Sequence, residues 1–312
     1  MSERPIISIV IPVYNKAQSV EKSIRSVLNQ TFKDFEVIVV DDGSTDNSID
    51  EIAKIRDNRI RIISQENSGV SAARNRGIAE SRGETIAFLD ADDQWDSDYL
   101  EAIMLLIKTH EDCKVFATGY RFKDQYGRIA IPKIINLSFE GSHGLLDNYF
   151  RIASCSHPPL WTGSVAVSKE ALHEIGGFPT GIGMGEDLIT WTELALRNKI
   201  AYLKEAKATY CLASQATRLT PSEPENPDRV GLRFKEILNT HSTPYLQQYA
   251  ALWHKMRMVT FVQLNRGKDA RREFHRICSM TSPSVKEWVW LTLSYLPESV
   301  VRFIMRSRSG FK

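Results

Sequence analysis

The chain opens, after a short polar start, on Ile6-Ile-Ser-Ile-Val-Ile11, an almost unbroken aliphatic run closed by Pro12. A run with so little polar alternation predicts a strand covered on both faces, as in a parallel sheet. Val20, Ile24, Val27 and Leu28 then recur at helical spacing behind Ser19, a residue type that caps helices. The alternation repeats, predicting a strand over 35–40, a helix over 46–55, a strand over 59–63, a helix over 70–80 and a strand over 85–89. Two more strands read from 163–167 and 208–212. Between them Leu188, Trp191, Leu194 and Ala195 recur at helical spacing, which places Glu186 and Asp187 in a first helical turn. Strands and helices alternating through short connections predict an α/β fold: a mostly parallel, Rossmann-like sheet flanked by helices and joined by right-handed crossovers. Such folds bind ligands beyond the carboxyl ends of their strands.

The pattern changes past residue 220. Pro221-Ser-Glu-Pro-Glu-Asn-Pro227 reads as a linker or lid, helices follow over 245–264 and 270–278, and 284–295 is unusually aromatic within this helical, basic part. The aromatic stretch 288–296, with Trp288 and Trp290, is far shorter than the roughly 20 apolar residues a bilayer-spanning helix needs. After Pro297, Val300, Val301, Ile304 and Met305 fall on one side of a further helix, with Ser299, Arg302 and Arg306 on another. The chain is therefore expected to divide into residues 1–220 and a helical extension, 221–312.

Charge sharpens that division. The 312 residues carry 40 Lys/Arg and 38 Asp/Glu, a near balance that argues against a dedicated nucleic-acid binder. Residues 254–312 alone hold 12 Lys/Arg and 4 Asp/Glu, a net of +8. Tryptophans, aliphatics and arginines in this layout suit an interfacial helix on an anionic membrane; a helical subdomain packed on the core or on a second protomer, a homodimer, is the competing reading. Four cysteines with no CxxC pair imply neither a zinc site nor a disulfide framework and fit a reducing compartment. With no secretory pattern at the start, the expectation is a cytoplasmic protein, peripheral on the inner face of the cytoplasmic membrane. The sequons at Asn29 and Asn136 read as chance.

Candidate chemistry sits at two strand ends: Asp41-Asp42-Gly43-Ser44-Thr45-Asp46 after the second strand, and Asp90-Ala91-Asp92-Asp93 after 85–89. Turn-forming preferences account for part of this. Three carboxylates in four residues repel one another unless a cation or hydrogen-bond donor compensates, and hard Mg²⁺ or Mn²⁺ prefers such oxygens.

Ile9-Val-Ile-Pro-Val-Tyr-Asn15, Val39-Val-Asp-Asp-Gly-Ser-Thr-Asp46, Asn67-Ser-Gly-Val-Ser-Ala-Ala-Arg-Asn75 and Phe88-Leu-Asp-Ala-Asp-Asp93, in this order and at these boundaries, resemble the family 2 inverting glycosyltransferases of the GT-A fold. The resemblance fades toward residue 212. It implies a nucleotide-binding half over about 1–110 and an acceptor half over about 111–220. Pro12, Val13, Tyr14, Asn15, Asp41 and Asp42 would hold the nucleotide, Asp42 as partner of the base. Arg74 would contact the nucleotide or its phosphates. In the DxD element, Asp90 would lie near the ribose or donor sugar, beside Ala91, and Asp92 would bind the Mn²⁺ or Mg²⁺ that bridges the diphosphate. After Gly176-Gly-Phe178, Asp187 would be the general base and Glu186 an orienting or acceptor-binding partner. Trp161 and Asp93 are assigned to the acceptor. Relatives carry a histidine in the loop after the last core strand; this chain has none there, and Arg218 or Gln215 would substitute as the phosphate contact.

The chemistry matches these residue types. A departing nucleoside diphosphate gathers negative charge that a Lewis-acidic metal stabilises, and the acceptor hydroxyl needs a base. The expectation is a nucleotide-sugar glycosyltransferase, UDP-linked, acting on a glycan or a polyprenyl-diphosphate-linked acceptor in O-antigen or capsule assembly. One alternative is a catalytically weak glycan-binding member of the fold. Another, a sugar-1-phosphate nucleotidyltransferase, would need a Gly-rich loop that Pro12-Val-Tyr-Asn-Lys16 lacks. The Gly181-Ile-Gly-Met-Gly185 run is not a dinucleotide fingerprint, because no strand precedes it and the spacing is wrong.

Overall fold

The structure, a computed structural model, describes residues 4–212, 223–301 and 304. It divides into two compact units, Met1–Ala213 and Ser214–Lys312.

The first unit is built on strands β1 (Ile7–Val13), β2 (Phe35–Asp41), β3 (Ile60–Ser64), β4 (Thr85–Phe88), β5 (Gln94–Trp95), β6 (Val115–Lys123), β7 (Ile129–Ala130), β8 (His143–Leu145), β9 (Val165–Ser168) and β10 (Ile200–Cys211). Between them run helices α1 (Val20–Leu28), α2 (Ser48–Ala53), α3 (Val70–Glu80), α4 (Tyr99–Thr109), α5 (Tyr149–Cys155), α6 (Lys169–Glu174) and α7 (Glu186–Arg197). The strands form one sheet in the order β3-β2-β1-β4-β9-β6-β10-β5, with β7 on β6 and β8 on β10. β3, β2, β1 and β4 are mutually parallel, as are β6 and β10; β9 and β5 run the other way. Every position of β1, β2 and β4 is buried, as their largely apolar character requires, and the buried Glu36 of β2 accepts from Ser8 Oγ and from Arg82.

Pro12 does not end β1 as the sequence pattern suggests. The strand runs through it to Val13, paired with Asp41 of β2. Val10 faces β4, accepting from the Leu89 N–H at 3.1 Å, so Pro12 faces the same side two residues on, where β4 pairing has already stopped. The missing N–H falls where no ladder bond is available to lose.

α3 lies tight on β1 because Gly77 carries no side chain; a Cβ there would come within 2.3 Å of Val10 Cγ1. One turn back, the same helix delivers Arg74 to the carboxyl ends of the strands.

The second unit is helical: α8 (Arg229–Thr240), α9 (Leu246–Gln263), α10 (Gly267–Met280) and α11 (Val285–Leu293). Its core gathers Met258, Phe261, Val262, Ala270, Phe274, Ile277, Leu293 and Val301. The helix expected after Pro297 lies only partly within the described residues, and Arg302, Met305 and Arg306 lie outside them. Among the described residues no helix is long and apolar enough to cross a membrane.

Candidate active site

The loops after β1 and β2 lock together through Asn15, held at a positive φ of 52°. Its Oδ1 accepts from the Thr45 N–H at 2.8 Å and its own N–H donates to Ser44 Oγ at 3.1 Å. The Lys16 N–H donates to Ser48 Oγ at 2.7 Å. Asp41 closes the β2 turn by accepting from the Ser44 N–H. Asp42 gathers a third loop: Oδ1 accepts from Gln65 Nε2 at 2.8 Å and the Ser68 N–H at 2.9 Å, Oδ2 from the Gly69 N–H at 2.8 Å. One acceptor position on Oδ2 is left over by this count.

These loops wall a cavity of about 600 Å³ at the carboxyl ends of β1, β2 and β4. Pro12, Val13, Tyr14, Asp42, Arg74, Asp90, Ala91 and Asp92 line it, while Asn15 and Asp41 stand behind and shape the loops. Its volume is that of a small-molecule site. Lys16 and Tyr210 also line it, and neither was singled out from sequence.

Arg74 is nearly inaccessible, 3% exposed, and its guanidinium is a bridge. Nη2 donates to Asp90 Oδ1 and Nη1 to Glu186 Oε1, both at 2.9 Å, joining the end of β4 to the first turn of α7, and Arg74 itself stands 112 residues before Glu186. The Phe178 ring lies 5.1 Å beneath. Burial alone would depress the guanidinium, but Asp90 and Glu186 raise it above its ordinary value, so it stays charged. Arg74, expected to contact the nucleotide or its phosphates, lines the cavity and ties two carboxylates together, and Glu186, expected as an orienting or acceptor-binding partner, is held in an ion pair with it.

Asp187 lies beside this tie, partly buried, accepting from the Leu188 N–H at 2.8 Å. Burial first, then Glu186, lift its carboxyl to about 6 against the pull of Arg74. A carboxylate poised there is basic enough to accept a proton near neutral pH.

Asp92 stands about one-third exposed on the cavity wall and pairs with Lys16 Nζ. A single accessible carboxylate, compensated by one flexible ammonium and facing open space, fits a hard divalent cation that keeps sites for substrate phosphates. Asp93 does not fit the acceptor role. It is fully buried, Oδ1 accepts from the Cys211 N–H at 2.8 Å, and burial followed by Asp90 and Asp92 pushes its carboxyl up to about 9. Trp161 is absorbed into an aromatic cluster, 5.3 Å from both Tyr120 and Tyr210. Arg218 and Gln215 lie outside the described residues.

The sheet order and the helices on it define the GT-A class of folds. Residues 8–176 match the Glycosyl transferase family 2 model, and the chain belongs to that family. It is 31% identical over 221 residues to the putative teichuronic acid biosynthesis glycosyltransferase TuaG of Bacillus subtilis, covering 68% of this chain and 81% of that one. It is 34% identical over 221 residues to an uncharacterized glycosyltransferase of Rickettsia bellii, covering 70% of this chain. The chain spans only 30% of that protein's length and 42% of a Rickettsia felis relative. Among solved structures, S. aureus TarS 1-349 in complex with UDP-GlcNAc superposes with a TM-score of 0.63 at 21% identity, over 92% of this chain and 79% of that one.

Proposed function

We propose that the chain is a metal-dependent inverting glycosyltransferase that moves a sugar from a nucleotide donor, UDP-linked, to a hydroxyl of a glycan or polyprenyl-diphosphate-linked acceptor in surface-polysaccharide assembly. The observation that carries the reading is the linked set of carboxylates: Asp42 and Asp92 on the cavity wall, and Asp90 tied through Arg74 to the turn that bears Asp187.

Each residue has a task in this reading. The free acceptor position on Asp42 Oδ2 takes one N–H of the base, as uracil N3–H offers. Asp92 holds the Mn²⁺ or Mg²⁺, which when bound stabilises the charge of the departing diphosphate. Asp187 takes the proton of the acceptor hydroxyl. Arg74 and Glu186 fix the α7 turn relative to the DxD loop. The second unit keeps the enzyme on an anionic membrane through the exposed Val285, Trp288 and Val289 of α11 and Tyr295 just beyond it.

Thermal unfolding with UDP, GDP, CMP and dTDP, each with and without Mn²⁺, tests the donor. A ligand at 100 times its Kd adds about 2.7 kcal/mol. A shift confined to UDP with Mn²⁺ supports the reading, and no shift with any nucleotide overturns it.

A further inference from the structure

Three helices of the second unit enclose another cavity, of about 500 Å³. Lys235 of α8, Arg257 of α9, and Arg266, Arg272 and Arg276 at and along α10 line it, with Asp228, Asp269 and Glu273 the carboxylates on its wall among the described residues. Glu223, outside the wall, also pairs with Arg266, so these side chains carry one positive charge in excess.

The carboxylates are already committed. Asp228 accepts from Trp253 Nε1 at 2.8 Å, the Gly231 N–H at 2.9 Å and Arg276 Nη1 at 3.0 Å. Glu273 accepts from Arg257 Nε at 3.1 Å and Arg276 Nη1 at 3.2 Å, and pairs with His254 Nδ1 at 2.7 Å. Asp269 pairs with Arg266 at 2.8 Å and Arg272 at 3.1 Å.

Asp228, His254 and Glu273 bring ligand atoms within 4.8 Å of one another, the residue types of a cation site. The guanidiniums of Arg257 and Arg276 hold the same oxygens, so a divalent ion would enter beside two fixed cations. The surplus points to an anion instead.

Arg257 is the second observation. It is 5% exposed; Nε and Nη2 are bonded, yet among the described residues Nη1 has no partner. A buried charged donor without an acceptor is costly, and an anion entering the cavity supplies one. The Arg257 and Arg266 guanidiniums lie over the Phe261 ring at 5.2 and 4.9 Å, which holds their planes fixed. Planar, immobilised guanidiniums suit the bidentate geometry of phosphate.

We propose that this cavity is a phosphate-binding site, separate from the nucleotide cavity, that takes one phosphoryl or diphosphoryl group. Its physiological source, a phosphate-bearing glycan or the diphosphate of a lipid-linked acceptor, rests on the function proposed above; phosphate binding itself does not.

The test is calorimetric titration of the full chain with inorganic phosphate and with pyrophosphate. It compares wild type with the rim variant Lys235→Glu/Arg272→Glu, which leaves the buried network intact, and with Asp92→Ala as a control for the nucleotide cavity. The expected result is millimolar or tighter binding that the rim variant weakens about tenfold or more, at unchanged helical circular dichroism, and that Asp92→Ala leaves unchanged. No heat up to 50 mM phosphate, or equal binding by the rim variant, overturns the proposal. Phosphatidic acid vesicles that compete with phosphate identify a lipid headgroup as the source; competition by soluble sugar phosphates alone identifies a free phosphate. Loss of UDP response with phosphate binding kept would remove the donor reading and leave this site standing.

Discussion

Arg74 and Asp187 set the pH behaviour of the candidate site. The folded Asp187 pKa, raised to about 6 by burial and Glu186, exceeds the roughly 3.9 of an unfolded aspartate. The ionised form is thus the less stable one: the carboxyl costs no stability below about pH 4, and stability is lost as pH rises through 6. Asp187→Asn should therefore melt above wild type by a margin that widens between pH 4 and 7, while its transfer rate falls at least 10³-fold with UDP binding retained. Equal melting at all pH values would deny the buried ionisation. Arg74→Met removes the cation that pulls Asp187 down, so the acid limb of kcat/KM should move to higher pH. Lys16 gives a second residue-level outcome. It and a metal ion share Asp92, so Lys16→Met should tighten Mn²⁺ binding to the nucleotide-free protein two- to fivefold, the worth of about 0.5–1 kcal/mol for a partly exposed pair, as read by Mn²⁺ electron paramagnetic resonance. Weaker binding would mean that Lys16 supports the metal rather than competing with it. Asp42, Asp90 and Asp92 were legible in sequence because each follows a strand within a short motif, and Glu186 and Asp187 because a helical period places them in a first turn behind Gly185. The Arg74–Glu186 and Lys16–Asp92 pairs were not, since local spacing does not encode contacts across 112 and 76 residues.

Among elements, the strands buried on both faces were the most legible: β1, β2 and β4 lie within two residues of their aliphatic runs. Tyr99–Thr109 and Val115–Lys123 gave no reading. The first, YLEAIMLLIKT, is apolar around most of its circumference, and the second mixes Gly119 with Arg121 and Lys123, so neither shows a clean period. α9 hid its contents for a related reason. It is central to its unit, buries His254 and Arg257 together with Trp253 and Phe261, and so lacks the polar face that marks a surface helix. α11 is the opposite case. Val285 is 80% and Tyr295 68% exposed, and Trp288 packs edge-on against Phe274 while remaining half open. If these side chains enter an anionic interface, Trp288→Ser/Tyr295→Ser should lower binding to vesicles containing phosphatidylserine about tenfold at low salt without changing nucleotide response. Unchanged vesicle binding sinks the interfacial role, and a dimer broken by the same substitutions would assign these side chains to a second copy of the chain.

At the scale of the molecule, the sequence division by composition and charge and the two compact units address the same question from different sides. One unit is an acidic-mouthed sheet whose ligand loops converge on Asp42 and Asp92; the other is a helical bundle with its own core and its own charged cavity. Chains built this way need not unfold in one step. Differential scanning calorimetry should resolve two transitions, each answering to its own ligand. UDP with Mn²⁺ at 100 times Kd adds about 2.7 kcal/mol to the sheet unit alone, a rise of roughly 5–11 °C for a unit of this size. Phosphate should raise the other transition and leave the first in place, and Lys235→Glu/Arg272→Glu should cancel that second shift only. Two transitions answering separately would mean that donor chemistry and anion capture are energetically independent. A single transition raised by either ligand would mean that the two units unfold as one, and coupling between the sites would show separately, as a UDP affinity that phosphate changes by the same factor that UDP changes the phosphate affinity.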